Sequence, residues 1–257
     1  MIFVQIWLDS KWLFYCFWHA LATSIILQKQ HQKISMNEKH QFIPYITSEF
    51  SSEELIAKSN KFYNELNKRR SVRDFSDKEI PKEVIENIIK TAGSAPSGAH
   101  KQPWIFCVIS DAKLKSEIRE LAEKEEYENY HGRMSESWKE DLKAMGTNHK
   151  KEFLEVAPYL IVVFKKVYDL DEDENKSQNY YVNESVGIAV GFLIAAIHQA
   201  GLVTLTHTPS PMNFLQKALD RPKNEKAFLL LPVGCPAKDC NVPDLKRKTL
   251  EQISFWF

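Results

Sequence analysis

The stretch Arg69-Arg70-Ser71-Val72-Arg73 says most about how this chain folds and what it binds. It sets guanidinium groups around a hydroxyl and lies ahead of a helix start that Pro81 marks. Planar guanidinium groups donate paired hydrogen bonds to phosphate oxygens, so the stretch is typical of a phosphate-ester site. A solvated basic turn after a helix fits the same residues, and the stretch by itself does not separate the two.

A second segment, rich in turn-forming residues, follows further along the chain: Ala95-Pro96-Ser97-Gly98-Ala99-His100-Lys101-Gln102-Pro103-Trp104. Small residues of this kind let backbone N–H groups come close to a ligand. An apolar run of strand type begins at once and continues to Ile109. The second segment therefore favours the ligand interpretation of the first.

Together the two segments resemble the flavin-binding signature of the nitroreductase-like FMN enzymes. Two later segments extend the likeness: Thr206-His207-Thr208-Pro209 and Val242-Pro243-Asp244-Leu245-Lys246-Arg247-Lys248. All four stand in the family's order, and the likeness runs from about Ser51 to Ile253. Within that superfamily the chain is more similar to the branch that removes iodide from iodinated tyrosines.

The apolar runs predict strands interspersed with helices, and hence an α+β or α/β domain. Strands are predicted at residues 104–109, 160–164, 202–206 and 228–233, and a long apolar helix at 180–200, which Gly201 closes. The resemblance narrows this to the nitroreductase-like fold. That fold is α+β (an α/β sandwich), with a mixed central sheet flanked by helices, in a domain-swapped homodimer with FMN at the subunit interface.

A capping box predicts the start of an earlier helix at Ser51 and Glu54. Apolar residues then recur at helical spacing and fall on one face of that helix: Leu55, Ile56, Phe62, Tyr63 and Leu66. A helix with such a face needs an apolar surface to pack against.

The first 43 residues differ in composition from the rest of the chain. The run 12–27 carries no formal charge at neutral pH and, with residues 2–8, reaches membrane-spanning length, although Asp9 and Lys11 interrupt it. A membrane anchor, a cleaved signal peptide and an amphipathic surface helix all fit, and the absence of a clean cleavage pattern favours the anchor. We predict a single-pass N-terminal membrane anchor with a polar linker in residues 1–43, of unassigned orientation, and a catalytic domain in 44–257.

Composition limits the classes of function. Lys and Arg number 34 and Asp and Glu number 34, without a block of either sign, so nucleic acid is not indicated as a partner. The cysteines and histidines lack metal-ligand spacing, so no metal site is predicted. No GxGxxG fingerprint or phosphate-binding P-loop occurs, so the sequence does not predict a Rossmann-type dinucleotide site.

The resemblance implies cofactor contacts for residues of the four segments. Arg69, Arg70, Ser71, Val72 and Arg73 would hold the FMN phosphate and the pyrimidine side of the ring, and Arg247 would complete the phosphate site. Pro96, Ser97 and Gly98 would approach the same flavin from the partner subunit. Thr206, His207 and Thr208 would also lie at the flavin, with His207 standing where the family usually has a small hydroxyl residue. The resemblance implies that Thr208 is the catalytic residue, because a hydrogen bond from its hydroxyl to flavin N5 would favour single-electron over hydride chemistry.

Residues 123–151 would form a lid over the substrate. Glu126 and Tyr130 are four residues apart and share one face if this segment is helical, and Lys151 follows. By the resemblance these three residues grip an amino acid zwitterion: Glu126 binds the ammonium, Lys151 the carboxylate, and the Tyr130 hydroxyl bridges. Ala99 would offer its backbone N–H to the phenolate oxygen. Without the resemblance, a solvated charged helix face explains the same residues.

The resemblance implies an FMN-dependent enzyme that reductively dehalogenates mono- and diiodotyrosine to tyrosine and iodide, which salvages the iodide. NADPH would be the ultimate electron donor through a separate reductase, since no dinucleotide site is visible. Two alternatives stay open. One is a broad nitro- or quinone-reductase of the same superfamily, and the other is a flavin-bound regulatory subunit of a membrane complex with little turnover.

Overall fold

The computed structural model describes residues 42–257, and residues Ile56–Phe257 form one compact unit. The helices are α1 (Ser52–Asn67), α2 (Lys82–Gly93), α3 (Ala112–Glu128), α4 (Glu136–Lys143), α5 (Phe153–Val156), α6 (Val182–Gln199), α7 (Asn213–Ala218) and α8 (Leu250–Ile253). The strands are β1 (Trp104–Ile109), β2 (Tyr159–Lys166), β3 (Tyr168–Leu170), β4 (Lys176–Gln178), β5 (Val203–Thr204) and β6 (Glu225–Gly234). The predicted membrane anchor falls on residues that lie outside this description.

A central sheet runs in the order β1-β2-β6-β5, and β3 and β4 form a separate hairpin. The pairs between these strands are antiparallel, and a single parallel bridge joins Ser71 to Thr204 at the β5 edge. Val72 N–H donates to the Thr204 carbonyl there, at 3.2 Å. Among the described residues this bridge is the one parallel contact of an otherwise antiparallel sheet, and it lays the arginine stretch directly beside the strand that leads to Thr208.

Strands β2 and β6 are buried on both faces, which gives the domain two hydrophobic cores. Ile161, Val163 and Leu231 face a core that includes α2 and α6. Leu160 and Leu230 face a second core that includes α3, α5 and α7. Successive side chains of a strand point to opposite faces of the sheet. A continuous apolar run in the sequence therefore fits a strand that is covered by protein on both faces. Each buried Leu, Ile or Val side chain contributes about 1.5–3 kcal/mol to stability.

The capping box at the start of α1 is confirmed. Ser51 N–H donates to Glu54 Oε2 at 2.8 Å, and Glu54 N–H donates to Ser51 Oγ at 3.2 Å. Further along the helix, Phe62 and Tyr63 are 59% and 62% exposed. The predicted apolar face therefore exists in this chain but is open to solvent.

Helix α6 matches the predicted long helix to within two residues at its start and one at its end. Gly201 follows with φ of +77°, the left-handed conformation that suits glycine, and its N–H donates to the His198 carbonyl at 3.0 Å. In the part of the chain that the structure describes, α6 has the length and apolar composition to cross a membrane. Six of its residues nevertheless lie in or beside the core: Ser185, Val186, Ala189, Val190, Leu193 and Ile197.

Strand β5 is shorter than predicted. It covers Val203 and Thr204, after which the chain keeps one further antiparallel bridge to β6, between His207 and Leu230. Regular pairing stops because the segment turns from the sheet edge toward the functional site. The strand predicted at 202–206 is therefore right in place and wrong in length.

Candidate functional site

Four arginines surround one cavity of about 240 Å³ between the stretch 69–73 and the C-terminal segment. Its lining residues are Arg69, Arg70, Ser71, Arg73, Met145, Pro243, Leu245, Lys246 and Arg247. Arg70 donates to the Pro243 carbonyl. Arg247 donates to the Arg69 carbonyl at 2.7 Å and to the Asn67 carbonyl at 2.9 Å. These bonds hold the two distant segments together.

The charge in this cavity has no counterpart in the described chain. None of its four guanidinium groups forms an ion pair with a carboxylate among residues 42–257. Burial and the nearby Arg247 and Arg70 charges lower the pKa of Arg69. Burial also lowers the pKa of Arg73, against the opposing effects of Tyr130 and Asp74. Clustered cations without carboxylate partners are stabilised by an anion, so the cavity fits the phosphate of FMN.

Val72 differs from its neighbours in the stretch. It is 5% exposed, and its N–H already bonds the Thr204 carbonyl. Its side chain packs into the protein rather than toward the cavity that the arginines line. Val72 thus fixes the strand-like path of the stretch, and the side chains of Arg69, Arg70 and Arg73 line the cavity.

A second cavity of about 210 Å³ adjoins the first, and Arg73 lines both. Its other lining residues are Glu126, Asn129, Tyr130, Met134, Trp138, Leu142, Thr147, Lys151, Phe153, Leu205, Thr206, His207, Thr208 and Ser210. The structure therefore brings the three predicted zwitterion ligands, Glu126, Tyr130 and Lys151, to one place beside Thr206, His207 and Thr208.

Glu126 and Lys151 form a buried and loose ion pair. Lys151 Nζ lies 3.7 Å from Glu126 Oε2, and the two side chains are only 4% and 10% exposed. Burial raises the pKa of the Glu126 carboxyl and lowers the pKa of the Lys151 ammonium, and the charge of each partner opposes the effect on the other. Lys151 also donates to Thr147 Oγ1 at 3.2 Å. A zwitterion satisfies both charges at once, so this pair is suited to exchange with an amino acid head group.

Tyr130 closes the same end of the cavity. Its hydroxyl donates to the Thr147 carbonyl at 3.3 Å, and Lys151 Nζ lies 5.8 Å from its ring centroid. Burial and the Glu126 charge raise the pKa of Tyr130, so the phenol stays protonated and able to donate.

His207 lies buried beneath the cavity, 7% exposed, with its ring edge-on to Phe153 at a centroid distance of 5.9 Å. Its backbone N–H and carbonyl both bond Leu230, at 2.9 and 3.0 Å. Burial, with the charges of Lys151 and Arg73, lowers the pKa of His207 to about 3. The imidazole is therefore neutral at physiological pH, and its buried Nε2 has no hydrogen-bond partner in the described chain.

Thr206 and Thr208 flank His207 and are both exposed. Successive residues of an extended chain face opposite sides, so the buried imidazole leaves both hydroxyls on the open side. Both threonines line the second cavity. Their hydroxyls are therefore available to a planar ligand lying between the arginines and the lid.

The turn 96–99 does not reach either cavity within one chain. Gly98 N–H instead donates to Ser185 Oγ of α6 at 3.2 Å, and a Cβ on Gly98 would lie 2.9 Å from Tyr181 Cδ2. Ala99, His100 and Gln102 adopt positive φ angles of 48°, 55° and 47°. Residues with side chains rarely adopt this conformation, and such strain clusters at binding sites. Pro96 and Ala99 are exposed and Ser97 and Gly98 half-buried, and within one chain the turn lines neither of the two cavities.

Some residues of the site were not predicted from the sequence. Asn129, Thr147 and Ser210 line the second cavity, and Trp138, which is 50% exposed, lines it too. Glu123, one helical turn before Tyr127, has a side chain that is only 15% exposed and accepts the Lys151 backbone N–H at 2.7 Å. Asn129 could have been proposed as a site residue because it precedes Tyr130 directly in the sequence. Thr147 falls within the predicted lid, four residues before Lys151. Ser210 carries no such signal, because it lies far along the chain from the lid residues that it meets.

Comparison with known proteins identifies close relatives. The model of the nitroreductase family matches residues 66–235. The chain is 62% identical over 213 residues to an iodotyrosine deiodinase of Haliscomenobacter hydrossis, which covers 83% of this chain and 96% of the relative. It is 48% identical over 223 residues to human iodotyrosine deiodinase 1, covering 86% of this chain and 76% of the relative. The structure is similar to that of oxidized iodotyrosine deiodinase bound to FMN and 3-iodo-L-tyrosine, with a TM-score of 0.66 and 30% identity, over 76% of this chain and 100% of the other.

Proposed function

The chain belongs to the nitroreductase family and, within it, to the iodotyrosine deiodinases, and on that basis we propose that it removes iodide from mono- and diiodotyrosine with FMN as cofactor. One observation carries the proposal. A single cavity is lined by the buried pair of Glu126 and Lys151, by Tyr130, and by Thr208 and Arg73. A zwitterion site beside a flavin site is the arrangement that reduction of an iodinated amino acid needs.

FMN supplies, when bound, the electrons that replace the carbon–iodine bond by a carbon–hydrogen bond. Arg69, Arg70 and Arg247 would hold its phosphate, with the Ser71 hydroxyl beside them. Arg73, which lines both cavities, would lie at the pyrimidine side of the ring. A positive charge at that edge would stabilise the reduced, anionic form of the cofactor.

The lid would hold and desolvate the substrate. Glu126 takes the ammonium group, Lys151 takes the carboxylate, and the Tyr130 hydroxyl bridges them. The substrate ring would then lie beside Thr208, whose hydroxyl would be available to donate a hydrogen bond to the flavin. Two electrons and one proton convert the iodinated ring to tyrosine and iodide. Closure of residues 123–151 over the ring excludes water from this step.

We propose that the active form is a homodimer. Pro96, Ser97 and Gly98 do not line the arginine cavity of their own chain and would reach the flavin of a second copy, where the Ala99 N–H would bind the substrate phenolate. Apolar surfaces suited to such an interface are open in one chain: the α1 face with Phe62, and α6 with Phe192 40% exposed. A groove of about 530 Å³ joins them to α2.

Electron supply and location complete the proposal. We propose NADPH as the ultimate donor, acting through a separate reductase, because the sequence holds no dinucleotide fingerprint. We further propose that residues 1–43 anchor the enzyme to a membrane by a single pass. The catalytic domain then acts at the membrane surface on a small soluble substrate.

The experiment that tests the function is a titration of flavin fluorescence in the purified oxidised protein. Iodotyrosine should quench the fluorescence at far lower concentration than iodophenol, because only the amino acid has charges for Glu126 and Lys151. Anaerobic reduction with iodotyrosine present should then release iodide and tyrosine. Equal binding of the two ligands would favour a broad nitro- or quinone-reductase. Binding without turnover would favour a regulatory subunit.

A further inference from the structure

A polar contact joins the lid to the loop that follows Thr208. Asn129 Nδ2 donates to the Ser210 carbonyl at 3.0 Å, and Arg133 Nη1 donates to the same oxygen at 3.2 Å. Arg133 is in turn paired with Glu125, at 2.8 Å. Asn129 is only 6% exposed, so its amide is shielded from water. Two donors from the lid therefore converge on one carbonyl oxygen two residues beyond Thr208.

The lid backbone departs from the α-helix at this contact. Residues Asn129–Arg133 form a π-helical turn directly after α3, and Met134 N–H donates to the Asn129 carbonyl at 2.9 Å. Such turns are rare and frequent at functional sites. Here Asn129 bonds the Ser210 loop while Tyr130, the next residue, bonds the Thr147 carbonyl. One short segment thus contains both Tyr130, a proposed substrate-binding residue, and the contact from Asn129 to the loop that follows Thr208.

We propose that Asn129, supported by Arg133, is a positioning residue that keeps Thr208 in register with the zwitterion clamp of Glu126, Tyr130 and Lys151. The inference rests on the proposed function. The lid fixes the substrate by its amino acid end, whereas the reaction takes place at its aromatic end beside Thr208. The relative position of lid and loop therefore sets the distance between the reacting bond and the flavin, and displacements near 1 Å already cost rate.

The contact is suited to this role by its chemistry and its place. The Ser210 carbonyl belongs to the backbone, so holding it restrains the path of the loop rather than one rotamer. The Asn129 side chain bonds Ser210 and Arg133 and neither the Glu126 carboxylate nor the Lys151 ammonium, although the Asn129 backbone N–H donates to the Glu126 carbonyl as part of the helix. Its removal should therefore affect the reaction step more than substrate binding.

The test compares Asn129→Ala and Arg133→Ala with the parent, as full-length FMN-loaded proteins. For iodotyrosine, kcat should fall about five- to tenfold in Asn129→Ala, as expected for loss of a shielded hydrogen bond, and less in Arg133→Ala, while KM changes little. Iodotyrosine should still quench the flavin fluorescence at nearly the parental concentration. With iodotyrosine bound, limited proteolysis should cut residues 123–151 faster in the variants. Reduction of a small uncharged nitroarene, which does not use the clamp, should stay at the parental rate.

Glu128→Ala is the matched control, because Glu128 is the exposed neighbour of Asn129 and should behave as the parent. Arg133 is 49% exposed, so Arg133→Ala keeps the test decisive if Asn129→Ala loses its flavin or its fold. Parental kcat and parental proteolysis in the variants would overturn the inference. So would a loss of iodotyrosine affinity at unchanged kcat, which would make Asn129 part of the clamp. A parent that does not release iodide would instead refute the proposed function on which the inference rests.

Discussion

At the scale of single residues, the arginines of the stretch 69–73 face a cavity in which no described carboxylate balances them. Charge-assisted hydrogen bonds contribute about 1.5–3 kcal/mol each, so Arg70→Ala should weaken FMN binding by about ten- to a hundredfold. The visible flavin absorbance per protein after dialysis measures this. Lys223→Ala, an exposed cation away from the cavity, is the control. Full flavin content after alanine replaces Arg69, Arg70 and Arg73 together would contradict the assignment.

Thr208 offers a test of the chemistry at one hydroxyl. Thr208→Ala should keep FMN and bind iodotyrosine nearly normally, because Glu126, Tyr130 and Lys151 are intact. Deiodination should fall about five- to tenfold, since a net hydrogen bond is worth about 1 kcal/mol. Nitroarene reduction should persist, and Thr208→Ser should restore deiodination. Parental deiodination in the alanine variant would make Thr208 a packing residue.

His207 should make the stability of the protein depend on pH. The unfolded chain binds a proton at this residue below its ordinary pKa of 6.5, whereas the folded protein binds it only near 3. Between these values the unfolded state holds more protons, so the free energy of unfolding falls as pH falls, by up to about 1.4 kcal/mol per pH unit.

The measurement is urea unfolding at neutral and at mildly acidic pH. His207→Gln should lose a large part of the difference in unfolding free energy between the two conditions. His149→Gln, in the lid and less buried, should keep it. An unchanged pH dependence in His207→Gln would show that other groups cause it.

At the scale of elements, the sequence predicted helix ends correctly where neighbouring residues alone determine them. The capping box at Ser51 and the glycine after α6 place helix ends because each acts on its own neighbours in the chain. The length of β5 was not predictable in this way, since the turn toward the site ends it. The charged lid was predictable only from the family likeness, because buried Glu126 and solvated glutamates look alike in a sequence. The contact from Asn129 to Ser210 joins segments too distant for any local pattern.

Helices α1 and α6 expose the apolar surface that we propose as part of the dimer interface. Phe62 lines the open groove with α2 and α6, and a charge there would oppose burial in a dimer interface. Phe62→Glu should therefore shift the protein toward monomer and lower its flavin content, because the turn 96–99 of a second copy is lost. Analytical ultracentrifugation with flavin absorbance measures both. Lys61→Glu, on an exposed neighbouring position, should remain dimeric, and a dimeric Phe62→Glu variant with full flavin would exclude this interface.

At the scale of the whole molecule, the N-terminal 43 residues should decide location and not chemistry. The full chain should remain with membranes after an alkaline carbonate wash, because an inserted helix is held effectively irreversibly. A chain beginning at Pro44 should be soluble and release iodide at the parental rate. A mature protein that begins just after Leu27 would identify the segment as a signal peptide instead. Release of the full chain by the wash would also argue against an anchor.

The pairing of Glu126 with Lys151 has a consequence for what the enzyme rejects. A ligand with an amine but no acid would engage Glu126 and leave the buried Lys151 charge unmatched, and an acid without an amine would leave Glu126 unmatched. An unmatched buried charge costs several kcal/mol. A ligand with only one of the two charges should therefore bind weakly, because the ion pair between Glu126 and Lys151 is more stable without it. The site should thus select ligands that carry both an ammonium group and a carboxylate. Decarboxylated or deaminated breakdown products of iodotyrosine should bind poorly and escape deiodination, even though their iodinated rings are unchanged.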